Sequence, residues 1–579
     1  MRWLKLSRLL AGLLLASPVV AEPVPHDWLE AEVPVRMANA EIPAAILAVV
    51  HGDQIRVLAY GVEADAVFRV GSLSKPVTAS LILKLTDLGL LELHEDVRDD
   101  FTLLPIAPPL DQPLTLHHLL THTAGFNERL FGQHVRSPDG FLPLHDYLRQ
   151  HLPPRFVQPG RIIAYNDHHT ALAGWLAERT TGKPFAELAR QYVFAPLEMA
   201  DSTFEQVDIP VAMAPRLARS SQGLQAPSYD RDYIQLTPAA GLYTTAADMA
   251  RYMRALLGGT LAGSEAQLKI QFHHHPRLPG RGYGFAEGQH GDLQYFYKDG
   301  QATGFNARLL LVPEQQFGLF VAHNRTIFGP LGAINAAGRF NRALGMAVLE
   351  RLWPVQATAE DSAGPSDPPL HDIDLSAYAG TYRTVVAARH TWERIISLFD
   401  EAVVQAADGQ LRLGRSTYVP TAESGVFQLL HHDNRHIVFD THQQHLFIGG
   451  GAYERVPWWS SQAALLWVIG LPLLGLVVSA WRLLSIDGWR VVFGQGGLLV
   501  FFIGLAVTFW FTDVQQLFYG PTAVLLGLLV LPLVALAGFA AQLAGLRRGR
   551  NLARSLGIVS GGCLFLWLSY WNLLGYWLG

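Results

Sequence analysis

Ser72 and Lys75 stand three residues apart in FRVGSLSK (Phe68–Lys75), just where the helical periodicity of PVTASLILKLTDLGLLEL begins. Residues at that spacing share a helix face, so the lysine amine can approach the serine hydroxyl and, if desolvated enough to be neutral, take its proton. The helix N-terminus also favours the negative charge that develops during attack. Alone the pair says little, because an ordinary helix start with Ser72 or Ser74 as N-cap reads the same way. Two further elements follow in order. Tyr165-Asn166-Asp167, inside PGRIIAYNDHHTALAGWLAE, opens a second helical stretch and supplies a phenol for proton transfer. Lys298-Asp299-Gly300 follows the strand-like LQYFY and precedes QATGF, an element of the K-[ST]-G type on an edge strand. A cation there attracts a substrate carboxylate, and the glycine lets substrate backbone approach closely. The chemistry implied is acyl transfer from an amide or ester to Ser72, with no cofactor.

Other blocks stand in order around these three: LTLHHLLTHTAGF (Leu114–Phe126), FAPLEMADSTF (Phe194–Phe204), AGLYTTAADMARY (Ala240–Tyr252), YGF (Tyr283–Phe285) and GFNARLLLVPEQQFGLFVAHN (Gly304–Asn324). Through them the chain, from about Ile42 to Leu349, resembles the β-lactamase-related serine hydrolases, which include class C β-lactamases, penicillin-binding proteins, D-Ala-D-Ala carboxypeptidases, D-amino-acid peptidases and certain esterases. The resemblance implies that Ser72 is acylated, that Lys75 and Tyr165 share the general-base and general-acid roles, and that the main-chain N–H groups of Ser72 and Gln301 form the oxyanion hole. It also implies that Lys298, Gly300 and Gln301 line the substrate. Two positions depart from the family pattern. Asp167 stands where relatives have Asn, and a carboxylate can accept from Lys75 but cannot donate to a substrate carbonyl unless protonated. It either tunes Lys75 or recognises a cationic group on the substrate. Asp299 stands where Thr or Ser is common, and an acidic neighbour that partly neutralises Lys298 argues against strong β-lactam turnover.

The elements that must position these residues are of two kinds. Strand-like runs (Ala44–Val50, Ile55–Tyr60, Leu293–Lys298, Ala307–Val312, Phe317–His323) bracket a stretch with helical periodicity, as in Val77–Leu90 and Ala246–Leu257. That order predicts an α+β catalytic domain of the β-lactamase/transpeptidase type over 22–353. PVQATAEDSAGPSDPP marks a linker over 354–370. Short alternating runs (Gln410–Leu413, Val426–Leu430, His436–Phe439, His445–Ile448) predict a small antiparallel β domain over 371–456. Its YAGTYR (Tyr378–Arg383) resembles the lipocalin-like domain appended to many family members, which implies either a cap over the substrate or a packing module.

A chain of 579 residues exceeds one core, and 50% hydrophobic with only 16% charged residues is apolar for a soluble protein. The excess is concentrated in four runs, Ala463–Trp481, Val491–Phe511, Pro521–Leu546 and Ser555–Gly579, within a membrane region predicted over 457–579. Arg482 and Arg490 flank the first connection and Arg547, Arg548, Arg550 and Arg554 crowd the third, whereas the second has Asp513 and no Lys or Arg. The first and third connections are therefore expected in the cytoplasm and the catalytic domain outside, on a multi-pass inner-membrane protein. Trp458, Trp459, Trp489, Tyr519, Tyr576 and Trp577 fall near the interfaces. At the other end Arg2, Lys5 and Arg8, apolar Leu9–Ala16 and small residues before Ala21 read as a signal peptide over 1–21.

Several readings are excluded or weak. A formal net charge of −5 without a basic run interleaved with aromatics gives nucleic-acid binding no support. Cys563 is the single cysteine, so no intramolecular disulfide forms. Among 23 histidines, including His117-His118, His168-His169, His273–His275 and His431-His432, no metal-ligand spacing appears. His122 is expected to buttress the loop beside the site, and His168 and His169 either line the pocket or lie on a helix surface. GQGG (Gly494–Gly497) and GIVSGG (Gly557–Gly562) allow close helix packing within one chain or between chains. The reading is a membrane-anchored extracytoplasmic serine hydrolase acting on peptides with D-amino acids. The alternatives are an esterase, a weak β-lactamase, or a receptor that acylates and holds its ligand.

Overall fold

A computed structural model describes residues 26–107, 111–221, 231–325, 334–355, 373–430, 435–511, 519–520, 522–545 and 552–574. The signal peptide, nearly all of the 354–370 linker, His431-His432, Asp513, Arg547, Arg548, Arg550, Tyr576 and Trp577 lie outside them.

Six strands form one antiparallel sheet: β1 (Ala45–His51), β2 (Gln54–Tyr60), β3 (Ala286–His290), β4 (Leu293–Ala302), β5 (Phe305–Val312) and β6 (Phe317–His323), in the order β2-β1-β6-β5-β4-β3. The middle strands β5 and β6 are buried along their whole length because both faces are covered. In β1 the alternation divides cleanly. Ala45, Leu47 and Val49 pack with the helices His26–Asn39 and Ala336–Leu352, while Ile46, Ala48 and Val50 pack with the main helical core. This mixed helix-and-sheet architecture is the expected β-lactamase/transpeptidase-like fold. Helix Ala246–Leu257 has the bounds its periodicity predicts, and β3, a polar edge run AEGQH, is a strand the apolar pattern does not reveal.

Downstream, eight strands from Gly380–Thr384 to Gly451–Val456 close in sequence order into an antiparallel barrel. Tyr378, Tyr382, Phe427 and Phe439 fill it. Phe447, on the barrel strand His445–Ile448, packs with Val385 and Ala452 on Phe156, Ile162 and Ala164, the segment that runs into Tyr165. Between its first two strands the chain leaves the barrel, and Trp392, Ile395 and Leu398 pack with Phe131 and with the C-terminal helices.

Among the described residues four helices, Gln462–Leu483, Gly488–Thr508, Ala523–Ala544 and Leu552–Tyr570, are long and apolar enough to cross a membrane. The glycine-rich runs serve packing within the chain: Gly494 lies against Gly538, and Gly557 against Ser479 and Gln495.

Candidate active site

Ser72 lies in a 3₁₀ turn, Gly71–Leu73, that runs directly into helix Ser74–Asp87. Neither serine caps the helix with its side chain, since Leu73 is the N-cap. Ser74 Oγ instead donates to Gly71 O and accepts from Leu242 N, which ties the turn to the 242–244 segment. The sheet approaches so closely that two glycines are obligatory. A Cβ on Gly71, whose φ is +51°, would sit 2.0 Å from Gln301 O, and one on Gly300 would sit 2.0 Å from Val70 O. Ser72 and Gln301 are thereby brought side by side along β4.

The three motifs converge on Ser72 Oγ. Lys75 Nζ and Tyr165 Oη each donate to it at 2.9 Å, and Lys298 Nζ lies 3.0 Å behind the phenol. Lys75 Nζ also donates to Ala239 O at 3.0 Å and pairs with Asp167 Oδ1 at 2.7 Å, so its three protons are all engaged. Burial alone would push Lys75 down, but Asp167 and Tyr165 outweigh it and hold the ammonium form. The desolvated, neutral Lys75 that the serine–lysine spacing suggests is thus not the resting state, and the cause is the Asp167 carboxylate. Asp167, opposed by burial but paired with Lys75, is held below the usual carboxylate range. Lys298 is pushed well below the usual lysine range, first by burial and then by the like charges of Lys75 and Arg281. Burial raises Tyr165, with Lys75 pulling against it.

Asn166 explains why the helix starts where it does: its extended backbone and its side-chain oxygen, accepting from His168 N at 2.7 Å, form the N-cap. His122, at φ 60°, packs its ring against that of Tyr165 at 4.6 Å and a tilt of 46°, accepts from Ala164 N through its carbonyl, and takes the Asn166 N–H on Nδ1. It buttresses the tyrosine as expected. His168 and His169 are fully buried and are pushed down to about 3 by burial, so neither lies on the helix surface. Asp299 adds a weak pull on Lys298 towards the charged form and is not its partner. Alternation along β4 turns it to the opposite face from Lys298, where it pairs with Arg308 at 2.7 Å across the Asp299–Arg308 register.

Two residues of the site carry no motif. Arg281 Cζ lies 5.8 Å from the Tyr165 ring centroid, its Nε is buried without a partner, and among the described residues no carboxylate pairs with it. Asp232, deep behind β4, accepts from Arg69 and from Thr303 Oγ1. Among the described residues no group of three or more His, Cys, Asp or Glu is placed to hold a metal ion.

The geometry of a serine flanked by Lys, Tyr and a second Lys meets a family-level match. The Beta-lactamase family model matches residues 29–343, more than half of the chain. The chain belongs to the β-lactamase family. Its relatives there are serine hydrolases with carboxypeptidase, esterase and penicillin-binding-protein names. The putative penicillin-binding protein PbpX of Bacillus subtilis is 28% identical over 240 residues, 41% of this chain and 57% of that protein. The D-alanyl-D-alanine-carboxypeptidase/endopeptidase AmpH of Escherichia coli K12 is 24% identical over 368 residues, 56% of this chain and 92% of that protein. Among solved structures, SurE with D-Leu has a TM-score of 0.51 at 19% identity, covering 74% of this chain and 99% of that one. The likeness in fold therefore extends beyond the residues matched as β-lactamase family.

Proposed function

We propose that this β-lactamase-family chain is a membrane-anchored, extracytoplasmic serine hydrolase that forms an acyl-enzyme at Ser72 with peptides containing D-amino acids. The observation that carries the reading is the convergence of Lys75 Nζ and Tyr165 Oη on Ser72 Oγ at 2.9 Å, with Lys298 3.0 Å from the phenol. Lys75, as an ammonium paired with Asp167, holds the serine oxygen. For the attack the Tyr165 O–H turns from Ser72 Oγ to Lys298 Nζ, so that Tyr165 takes the Ser72 proton as its own passes to Lys298, which its surroundings favour as the neutral amine. The Ser72 oxygen bonds to the substrate carbonyl carbon, and the carbonyl oxygen takes up the charge against the N–H groups of Ser72 and Gln301. Collapse breaks the scissile bond, and the leaving amine or alcohol takes back the proton through Tyr165. Water then releases the acyl group by the reverse path.

Substrate recognition rests on chemistry at the rim. Gly300 and Gln301 offer main chain to an extended substrate, and Arg281 offers a guanidinium with no carboxylate partner among the described residues to a substrate carboxylate. The names of AmpH, a D-Ala-D-Ala carboxypeptidase, and of SurE with D-Leu support a D-amino-acid peptide as the substrate class. The domain assignment keeps the bounds read from the sequence, with the barrel as a cap that shapes access from the Tyr165 and Arg281 side. Sidedness is supported by Tyr519, in the connection between the second and third apolar helices, which packs on the catalytic domain.

Labelling the detergent-solubilised full chain with a fluorophosphonate and a fluorescent penicillin tests the nucleophile. Wild type is expected to take at least one label and Ser72→Ala neither. An unlabelled wild type, or an equally labelled variant, rejects Ser72. A label that persists for hours favours a receptor over a hydrolase.

A further inference from the structure

Asp232 is 1% exposed and gathers donors from four distant parts of the chain. Arg69 reaches Oδ1, while Oδ2 accepts from His134 Nδ1 at 2.6 Å, Thr303 Oγ1 at 2.7 Å and Tyr519 Oη at 3.0 Å. Two of these partners frame the site. Arg69 precedes Ser72 by three residues, and Thr303 follows Gln301 by two. One carboxylate therefore ties together the chain segments that present the Ser72 and Gln301 N–H groups, the same segments that Gly71 and Gly300 allow to touch. A buried carboxylate is stable only while its donors are in place, and losing one costs more than an ordinary hydrogen bond returns.

The fourth donor comes from outside the catalytic domain. Tyr519 belongs to the connection between the apolar helices Gly488–Thr508 and Ala523–Ala544. It is held there as well as donating. The Arg136 guanidinium lies 4.0 Å over its ring, and the His134 ring meets it edge-on at 5.9 Å. A loop that merely joined two anchoring helices would have no need to place a phenol on a buried carboxylate.

We propose that Tyr519 is a positioning residue for acylation: the membrane region docks on the catalytic domain and, through Asp232, holds the segments that carry Ser72 and Gln301. The inference rests on Ser72 being the nucleophile. It makes the C-terminal region a part of the active site's support, so that release of the connection slackens the oxyanion hole.

The test uses the full chain in lipid nanodiscs as wild type, Tyr519→Phe and Tyr519→Ala, with two main readouts beside the unfolding temperature and the affinity for a product peptide. Hydrogen–deuterium exchange is read on peptides covering residues 66–74 and 298–306, and the acylation rate is read with a fluorophosphonate. Loss of the phenol is expected to speed exchange in both segments and to slow acylation about tenfold, with the reversible affinity for a product peptide unchanged. Unchanged exchange in both segments overturns the proposal. So does a lowered unfolding temperature with the acylation rate intact, because that is packing alone. An unlabelled wild type fails the nucleophile reading instead, and the exchange result still decides whether Tyr519 holds the two segments.

Discussion

Asp167 Oδ1 lies 2.7 Å from Lys75 Nζ, and its negative charge favours the protonated forms of Lys75, Tyr165 and Lys298 alike. Replacing it with the amide removes that bias from every group that could take the Ser72 proton. In Asp167→Asn the acid limb of the acylation rate against pH is therefore expected to move to lower pH, since the accepting group loses its proton more readily. Labelling rates measured across the neutral and alkaline range check this. A limb that stays in place, or moves to higher pH, rejects the tuning role. A changed preference for cationic substrates without any shift in the limb supports recognition instead.

Tyr165 stands between Ser72 and Lys298, so its hydroxyl is the one atom through which the proposed proton path must pass. Tyr165→Phe keeps the ring that His122 packs against and removes only that atom. The acylation rate is expected to fall by about 10²- to 10⁴-fold, with little change in unfolding temperature. A loss below threefold would return the proton path to Lys75.

Arg281 lies 5.8 Å from the Tyr165 ring centroid without a carboxylate partner among the described residues, and burial lowers its own affinity for the proton. Such a cation is costly to leave unpaired, and a substrate carboxylate is the group that relieves it. For Arg281→Gln, KM for a peptide with a free C-terminal carboxylate is expected to rise about tenfold or more, while the corresponding amide is turned over as by wild type. Equal losses on both substrates would show that Arg281 serves the fold rather than recognition.

How much of this site was legible in the sequence follows from how local each part is. Ser72 and Lys75 share one helix turn, and Tyr165 and Lys298 are found by their order along the chain, because each sits in a motif of neighbouring residues. The Arg308 partner of Asp299 was not read, although adjacent residues on a strand face opposite sides and the carboxylate next to Lys298 on β4 had to turn away from it. The resting charge of Lys75 was not readable, since it depends on a 2.7 Å contact rather than on spacing. Asp232 and Arg281 were invisible because their meaning lies in partners far away in the chain, with Arg69, His134, Thr303 and Tyr519 meeting on one carboxylate. The fold divided the same way. Apolar runs marked the central strands and alternation the barrel, whereas the polar edge strand Ala286–His290 has no pattern to show.

Glu393 makes the junction between the catalytic domain, the barrel and the C-terminal helices sensitive to pH. It sits beside Trp392, which stacks on Phe131 at 4.4 Å, and its carboxyl accepts from Leu130 N at 2.7 Å. Burial pushes it up to about 7, with the Leu130 N–H and Arg129 pulling against that. The folded protein therefore keeps a proton that the unfolded chain releases near the ordinary glutamate value, so this contribution to stability is full below that value. It is lost as pH rises through about 7, and amounts to roughly 3 kcal/mol at most. The unfolding temperature of the full chain is expected to fall between pH 6 and pH 8.5, and Glu393→Gln, which keeps an acceptor for Leu130 N and has no proton to lose, is expected to flatten that fall. A variant whose unfolding temperature keeps the wild-type slope across the same range would place the pH sensitivity in another group.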